Sequence, residues 1–183
     1  MPELTFCLEG STSVVPVIIG AVITVSDRAS SGAYPDESGP LAIRLLSGHG
    51  VEAAGLIVPD DPVEIRRAIR AAVKSGARFV LTTGGTGVSP RDVTPQVTAE
   101  LLALRLPGVV DEVRRRSADH VPTAVLSRAE AGIVQLSKGA AFVVNAPGST
   151  GGVKDTVAVV GPLIAHVLDQ LDGGDHDRSE RKD

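Results

Sequence analysis

Four short polar stretches, each directly behind an apolar run, carry the residue types able to do chemistry: SDR at 26–28, PDD at 59–61, GGTG at 84–87 with PRD close behind it, and NAPGS at 145–149. The glycines of the third suit backbone amides that cradle an anion. No lysine follows them, so this is not the phosphate loop GxxxxGK with Ser or Thr, and it is not the dinucleotide pattern GxGxxG. An acid follows instead, Asp92. A phosphate held beside that carboxylate needs the repulsion offset, and a divalent cation between carboxylates and phosphate would do so, with Mg²⁺ the natural candidate. A local reading stands beside this one: Asp92 closes an Asx turn, and Asp27, Asp60 and Asp61 serve as turn or cap residues. Ser149 and the amides behind it, just before a helix, form a second anion site or a helix cap.

Other chemistries have little support. His49, His120, His166 and His176 show no metal-ligand spacing, and no Ser, His and Asp constellation comes with a nucleophile elbow. The single cysteine, Cys7, excludes an internal disulfide and a cysteine-built zinc site and points to a reducing compartment, with the cytoplasm as the default. In DEVRRRS, Asp111 and Arg115, like Glu112 and Arg116, stand four apart, the spacing of a self-compensated solvated helix face. The net charge of -4 argues against a general attraction to nucleic acid or to an anionic membrane. The N-terminal segment has no basic start and no sustained apolar run, and VVPVIIGAVI is too short to span a bilayer. Any phosphate site is therefore local.

Periodicity supplies the elements that must position these loops. Buried strands are expected over 17–25, 51–58 and 77–83, with amphipathic helices over 40–47, where Pro40 fits the first position, and 63–74. Thr94 and Pro95 read as the cap and first position of a helix reaching about Leu104, and another helix follows Pro107. TAVLS reads as a short β-like run. AGIVQL pairs through SKGA with AFVVNAPGS, and a helix over 153–171 carries Gly161 and Pro162, where it would kink or split. At 183 residues and 43% hydrophobic, the chain is expected to form one α/β domain: a doubly wound, mostly parallel sheet with helices on both faces and a small β-hairpin excursion. Such sheets bind ligands beyond the carboxyl ends of their strands, where all four polar stretches fall.

Taken together, TVSDRASSGAYPDESGP, IVPDD, LTTGGTGVSPRDVTP, PTAVLSRAEAGI and NAPGST resemble the molybdopterin-binding MogA and MoaB proteins, and the equivalent domains of plant Cnx and animal gephyrin. The polar or irregular ends read as a flexible N-terminal segment at 1–14 and a disordered charged tail at 173–183, and the resemblance implies a molybdopterin-binding domain over 15–172 between them. It implies molybdenum cofactor biosynthesis by Mg·ATP-dependent adenylylation of molybdopterin with release of pyrophosphate. It also implies assembly as a homotrimer or hexamer, and handover of the product to a molybdenum insertion protein. Asp60 and Asp92 fall where the catalytically important acids lie, and both are assigned to Mg²⁺. Gly84, Gly85, Thr86 and Gly87 match the loop at the nucleotide and pterin site, and Ser26 with Asp27 an acidic rim contact. Ser127 and Arg128, with Pro147, Gly148 and Ser149, match ligand contacts, and Arg91 contacts phosphate or pairs at the surface. The alternative is a non-catalytic molybdopterin-binding carrier or scaffold of the MoaB type. The intact PRD favours the enzyme.

Overall fold

Successive strand positions point to opposite faces, and here both faces of the central strands are buried. In a computed structural model of the chain, which describes residues 17–174, the elements run β1 (Ile18–Val25), a one-turn α1 (Asp27–Ser30), α2 (Ser38–Ser47), β2 (Val51–Val58), α3 (Pro62–Lys74) and β3 (Phe79–Thr83). They continue as α4 (Thr94–Leu101), β4 (Leu102–Arg105), α5 (Pro107–Ala118), a 3₁₀ turn (Pro122–Leu126), β5 (Ala131–Gln135), β6 (Ala140–Ala146) and α6 (Thr150–Leu171). The segment 1–14 and all but the first two residues of the proposed tail lie outside the described residues.

The six strands form one open sheet in the order β2-β1-β3-β6-β5-β4. β2, β1, β3 and β6 are mutually parallel, while β5 is antiparallel to both β6 and β4. The α/β architecture with helices on both faces is the one expected, and the expected hairpin is β5–β6, whose second strand lies inside the sheet beside β3. On one face Val22, Phe79, Leu81, Phe142 and Val144 pack with residues of α2, α5 and α6. On the other, Ile23, Val25, Val58, Val80 and Val143 pack with residues of α3 and α4. Phe79 and Phe142 are register partners, and their rings meet edge to face at 5.6 Å between centroids. The chain leaves β1 on the α2 face and returns past it on the α3 face, so strand order reverses between β1 and β3, and a crevice opens at their carboxyl ends.

Several local expectations are corrected. Pro40 is the third rather than the first residue of α2, because the Asp36 carboxylate accepts hydrogen bonds from Gly39 N–H (2.9 Å) and Ser38 Oγ (3.1 Å) and starts the helix two residues earlier. Thr94 is not a cap: the N-cap is Val93, which makes no side-chain bond, and Thr94 is the first helical residue. α4 stops at Leu101, and Leu102 begins a strand paired with β5. TAVLS lies in the 3₁₀ turn and its exit. α6 runs unbroken through Gly161 and Pro162 and begins at Thr150. By length and composition α6 would reach across a membrane, but its Val153, Val157, Val160 and Ile164 face is buried in the core.

Candidate active site

The loops behind β1 and β2 are pinned to each other. Ser26 N–H donates to the Val58 carbonyl at 2.9 Å. Asp27 N–H donates to Asp60 Oδ2 at 2.9 Å, and Asp60 N–H donates back to Asp27 Oδ1 at 3.0 Å. The neighbouring acid, Asp61, instead caps α3, accepting from Val63 and Glu64 N–H. The capping reading thus holds for Asp61, while Asp60 is free of it. Ser26 caps the short α1 through Ala29 N–H at 3.2 Å.

The glycine loop is pressed into this corner from β3. Gly84 has φ +104° and Gly85 φ +63°, values that L side chains rarely adopt. Gly84 also lies against the end of β1, since a Cβ there would fall 2.2 Å from the Val25 carbonyl oxygen, and Gly148 packs on Gly84 Cα from the β6 side. Thr83 Oγ1 donates to the Pro147 carbonyl at 2.9 Å, joining the β3 and β6 loops. Beneath them the buried Asn145 holds four segments together. Its amide donates to Thr82 Oγ1 (2.8 Å) and Thr98 Oγ1 (2.9 Å), and its Oδ1 accepts from Glu130 N–H (3.0 Å).

Asp92 serves both readings at once. Its Oδ2 accepts from Ser89 N–H at 2.9 Å, closing the turn, yet its charge raises the pKa of Asp60. Burial is the larger cause of that rise and Asp92 the second. Among the described residues no hydrogen bond reaches Asp60 Oδ1 or Asp92 Oδ1. The Thr94 hydroxyl, fully buried and also without a partner, points with Asp60 Oδ1 at Gly85: a Cβ there would lie 2.4 Å from the first and 3.3 Å from the second. Two mutually repelling carboxylates, each with one free oxygen, fit Mg²⁺, which is commonly bound by one or two carboxylates with the remaining positions filled by phosphate and water. No cluster of three or more metal-binding side chains occurs among the described residues, so an all-protein cage is not the form such a site takes.

Two clefts flank this corner. One, about 420 Å³, is polar and runs between the β1 loop and the start of α6, past Ser26, Arg28, Asp36, Thr83 and Ser149, with the Arg28 guanidinium 4.6 Å from the Tyr34 ring centroid. The other, about 480 Å³, lies between α5, the 3₁₀ turn and the glycine loop. Val110, Val113, Leu126 and Pro147 line it, with Lys154 and Arg114 among its polar residues. Ser149 borders both.

The structure gathers Ser26, Asp27, Asp60, Gly84, Gly85, Thr86, Gly87, Arg91, Asp92, Pro147, Gly148 and Ser149 at one end of the sheet. Asp27 and Asp60 line neither of the larger clefts, and Asp92 borders a third, shallower one of about 320 Å³ with Gln96 and Arg128. Arg91 pairs with Asp27. Ser127 sits on the apolar cleft, away from the acids, and Arg128 is turned to loop carbonyls. The face read as self-compensated pairs differently. Arg114 joins Asp111 and Arg115 joins Glu112, three apart, while Arg116 reaches Asp155 on α6. Two residues of the site region have roles that their sequence context does not reveal. Asp36 takes the buried Thr24 hydroxyl at 2.7 Å as well as the α2 terminus, and Asn145, inside a motif that reads as a polar rim loop, is core.

The family described as "Probable molybdopterin binding domain" matches residues 21–166. A molybdopterin adenylyltransferase of Pyrococcus furiosus is 40% identical over 148 residues, 80% of this chain and 87% of that protein. A molybdenum cofactor biosynthesis bifunctional protein of Synechococcus elongatus is 36% identical over 166 residues, 90% of this chain but 51% of its own length. The chain thus spans about half the length of the bifunctional relatives it matches. Among solved structures, a molybdopterin biosynthesis protein from Mycobacterium abscessus superposes with a TM-score of 0.79 at 39% identity, covering 86% of this chain and 98% of that one.

Proposed function

The chain belongs to the molybdopterin-binding domain family, and we propose that it is a molybdopterin adenylyltransferase of molybdenum cofactor biosynthesis, using ATP with Mg²⁺ and releasing pyrophosphate. The observation that carries this reading is the pair Asp60 and Asp92, electrostatically coupled beside a glycine loop that lies between two clefts. An adenylyl transfer needs that layout. A phosphate oxygen of the pterin attacks the α-phosphorus of ATP, a new phosphorus–oxygen bond forms, and the bond to pyrophosphate breaks. Two substrates must therefore present phosphates to one corner.

The chain's own work is alignment and charge placement rather than covalent catalysis. The amides of Gly84, Gly85, Thr86 and Gly87 and the start of α6 behind Ser149 offer N–H donors to phosphate oxygens. Ser26 and Gly148 border the polar cleft and Ser127 and Pro147 the apolar one. Asp27 holds Asp60 in place, and Arg91, largely exposed on Asp27, is within reach of an arriving phosphate. Asp60 and Asp92 would hold the Mg²⁺, which when bound offsets the charge that phosphates and carboxylates bring together. Assembly as a trimer or hexamer and handover of the product to a molybdenum insertion protein go with this reading. Its test is incubation of the protein with molybdopterin and Mg·ATP. Adenylylated pterin and pyrophosphate are expected in equal amounts, whereas pterin binding with no ATP consumed would establish a carrier instead.

A further inference from the structure

Two arginines stand one behind the other in the wall of this site, and each bridges a pair of backbone carbonyls. Arg128 donates from Nε to the Gly87 carbonyl at 2.6 Å and from Nη2 to the Asp92 carbonyl, so one planar group spans the loop that presents Asp92. Its own N–H donates to the Thr86 carbonyl at 2.9 Å. Arg114, on α5, donates from Nε to the Ser127 carbonyl at 2.7 Å and from Nη2 to the Ala129 carbonyl at 3.0 Å. Those residues lie on either side of Arg128. The remaining nitrogen of Arg114 reaches Asp111 at 2.5 Å, so each of its three nitrogens bonds protein.

We propose that Arg114 and Arg128 form a two-step brace that fixes where Asp92 sits, with Arg114 a positioning residue acting through Arg128. This rests on the reading of Asp92 as a catalytic acid. The guanidinium is suited to bracing because its rigid fork holds two acceptors at once. The single ammonium of lysine cannot span them in the same way. The brace also accounts for an arginine on α5 that is turned inward, its side chain 25% exposed, from a helix whose other arginines face solvent or α6.

The test compares R128K, R114K and the double variant, all of which keep the charge and the aliphatic stem. The first measurement is amide exchange at Ser89, whose N–H is held by Asp92 Oδ2 at 2.9 Å. Loss of one charge-assisted hydrogen bond should speed local opening there roughly tenfold in R128K. The second is adenylylation. Turnover should fall on the order of 10- to 100-fold in either single variant, and the double variant should be no worse than R128K, because both changes act through one contact. Unchanged Ser89 exchange in R128K, or losses that multiply in the double variant, would overturn the brace. If R128K fails to fold, R114K reads the same brace one step removed. A wild-type protein that does not adenylylate molybdopterin would sink the functional reading, while Ser89 exchange would still decide the brace.

Discussion

Replacing Gly84 and Gly76 by alanine separates crowding at the glycine loop from backbone conformation alone. The two glycines have nearly the same φ, +104° and +97°, so the conformational cost of an L residue should be alike, about 1–3 kcal/mol. Their surroundings differ. A Cβ at Gly76 meets nothing within 4 Å, whereas at Gly84 it would lie 2.2 Å from the Val25 carbonyl oxygen. That oxygen is backbone at the end of a central strand and cannot swing aside, so the loop must withdraw by about 1 Å to reach ordinary van der Waals separation. Overpacking of this kind adds about 1–3 kcal/mol. Gly84→Ala should therefore destabilise by about 2–6 kcal/mol against about 1–3 for Gly76→Ala, with each kcal/mol lowering Tm by roughly 2–4 °C in a protein of this size. A displacement near 1 Å should also lower turnover by about 10²-fold in Gly84→Ala only. Scanning calorimetry and the adenylylation assay read the two effects. Equal Tm shifts with equal turnover would refute the crowding argument and leave both positions as simple turn glycines.

Asp60→Asn and Asp92→Asn should each lower turnover by roughly 10²- to 10³-fold while pterin affinity changes little, and normal turnover at unchanged Mg²⁺ dependence would return both acids to turn roles. The raised pKa of Asp60 gives a second test. An acid that holds its proton more tightly in the folded state costs stability once pH rises through its folded-state pKa, and that cost disappears below the ordinary aspartate range. Asp60→Asn should accordingly stabilise the fold at neutral pH and lose that advantage on acidification. Asp92→Asn should bring the Asp60 titration part of the way down, because burial, the larger cause, remains; carboxyl NMR across a pH series reads it, and an unmoved titration would mean that the two acids are not coupled. Asn145→Ala should cost about 3–5 kcal/mol, from the cavity and from Glu130 N–H left unpaired. A loss below about 1 kcal/mol in urea unfolding would show water taking the place of the amide.

What the sequence disclosed depended on whether the deciding force was local. β2 and α3 were legible almost to the residue, because Val51 to Val58 offers a strand-like run and α3 has helical apolar spacing behind Asp61 and Pro62. The rim was legible as a set of loops, since each polar stretch follows an apolar strand, although β2, expected to be buried, is the edge strand and only its ends, Val51 and Val58, are buried. β4 was not. LALR is made of good helix formers, and only its antiparallel pairing with β5, at a register shift between Leu102 and Leu104, holds it extended. The role of Arg114 was not legible for the same reason: spacing along α5 reveals its neighbours on the helix but not the carbonyls of Ser127 and Ala129, which arrive from farther along the chain. Thr94 looked like a cap by residue type, yet its N–H donates to the Gly85 carbonyl and its buried hydroxyl lies against Gly85 without a helix amide as partner.

The reciprocal hydrogen bonds between Asp27 and Asp60 bear on the thermodynamics of ligand capture. Each carboxylate already satisfies the other loop's amide, so the loops behind β1 and β2 behave as one rigid unit before any ligand arrives. Binding then needs no ordering of those loops, and the conformational entropy that a floppy rim would lose on capture is not lost. Calorimetry of pterin or nucleotide binding should show a heat-capacity change that reflects only the apolar surface covered in the clefts, without the greater change that a folding loop would bring. Asp27→Ala, which removes one half of the exchange, should add that missing entropic cost.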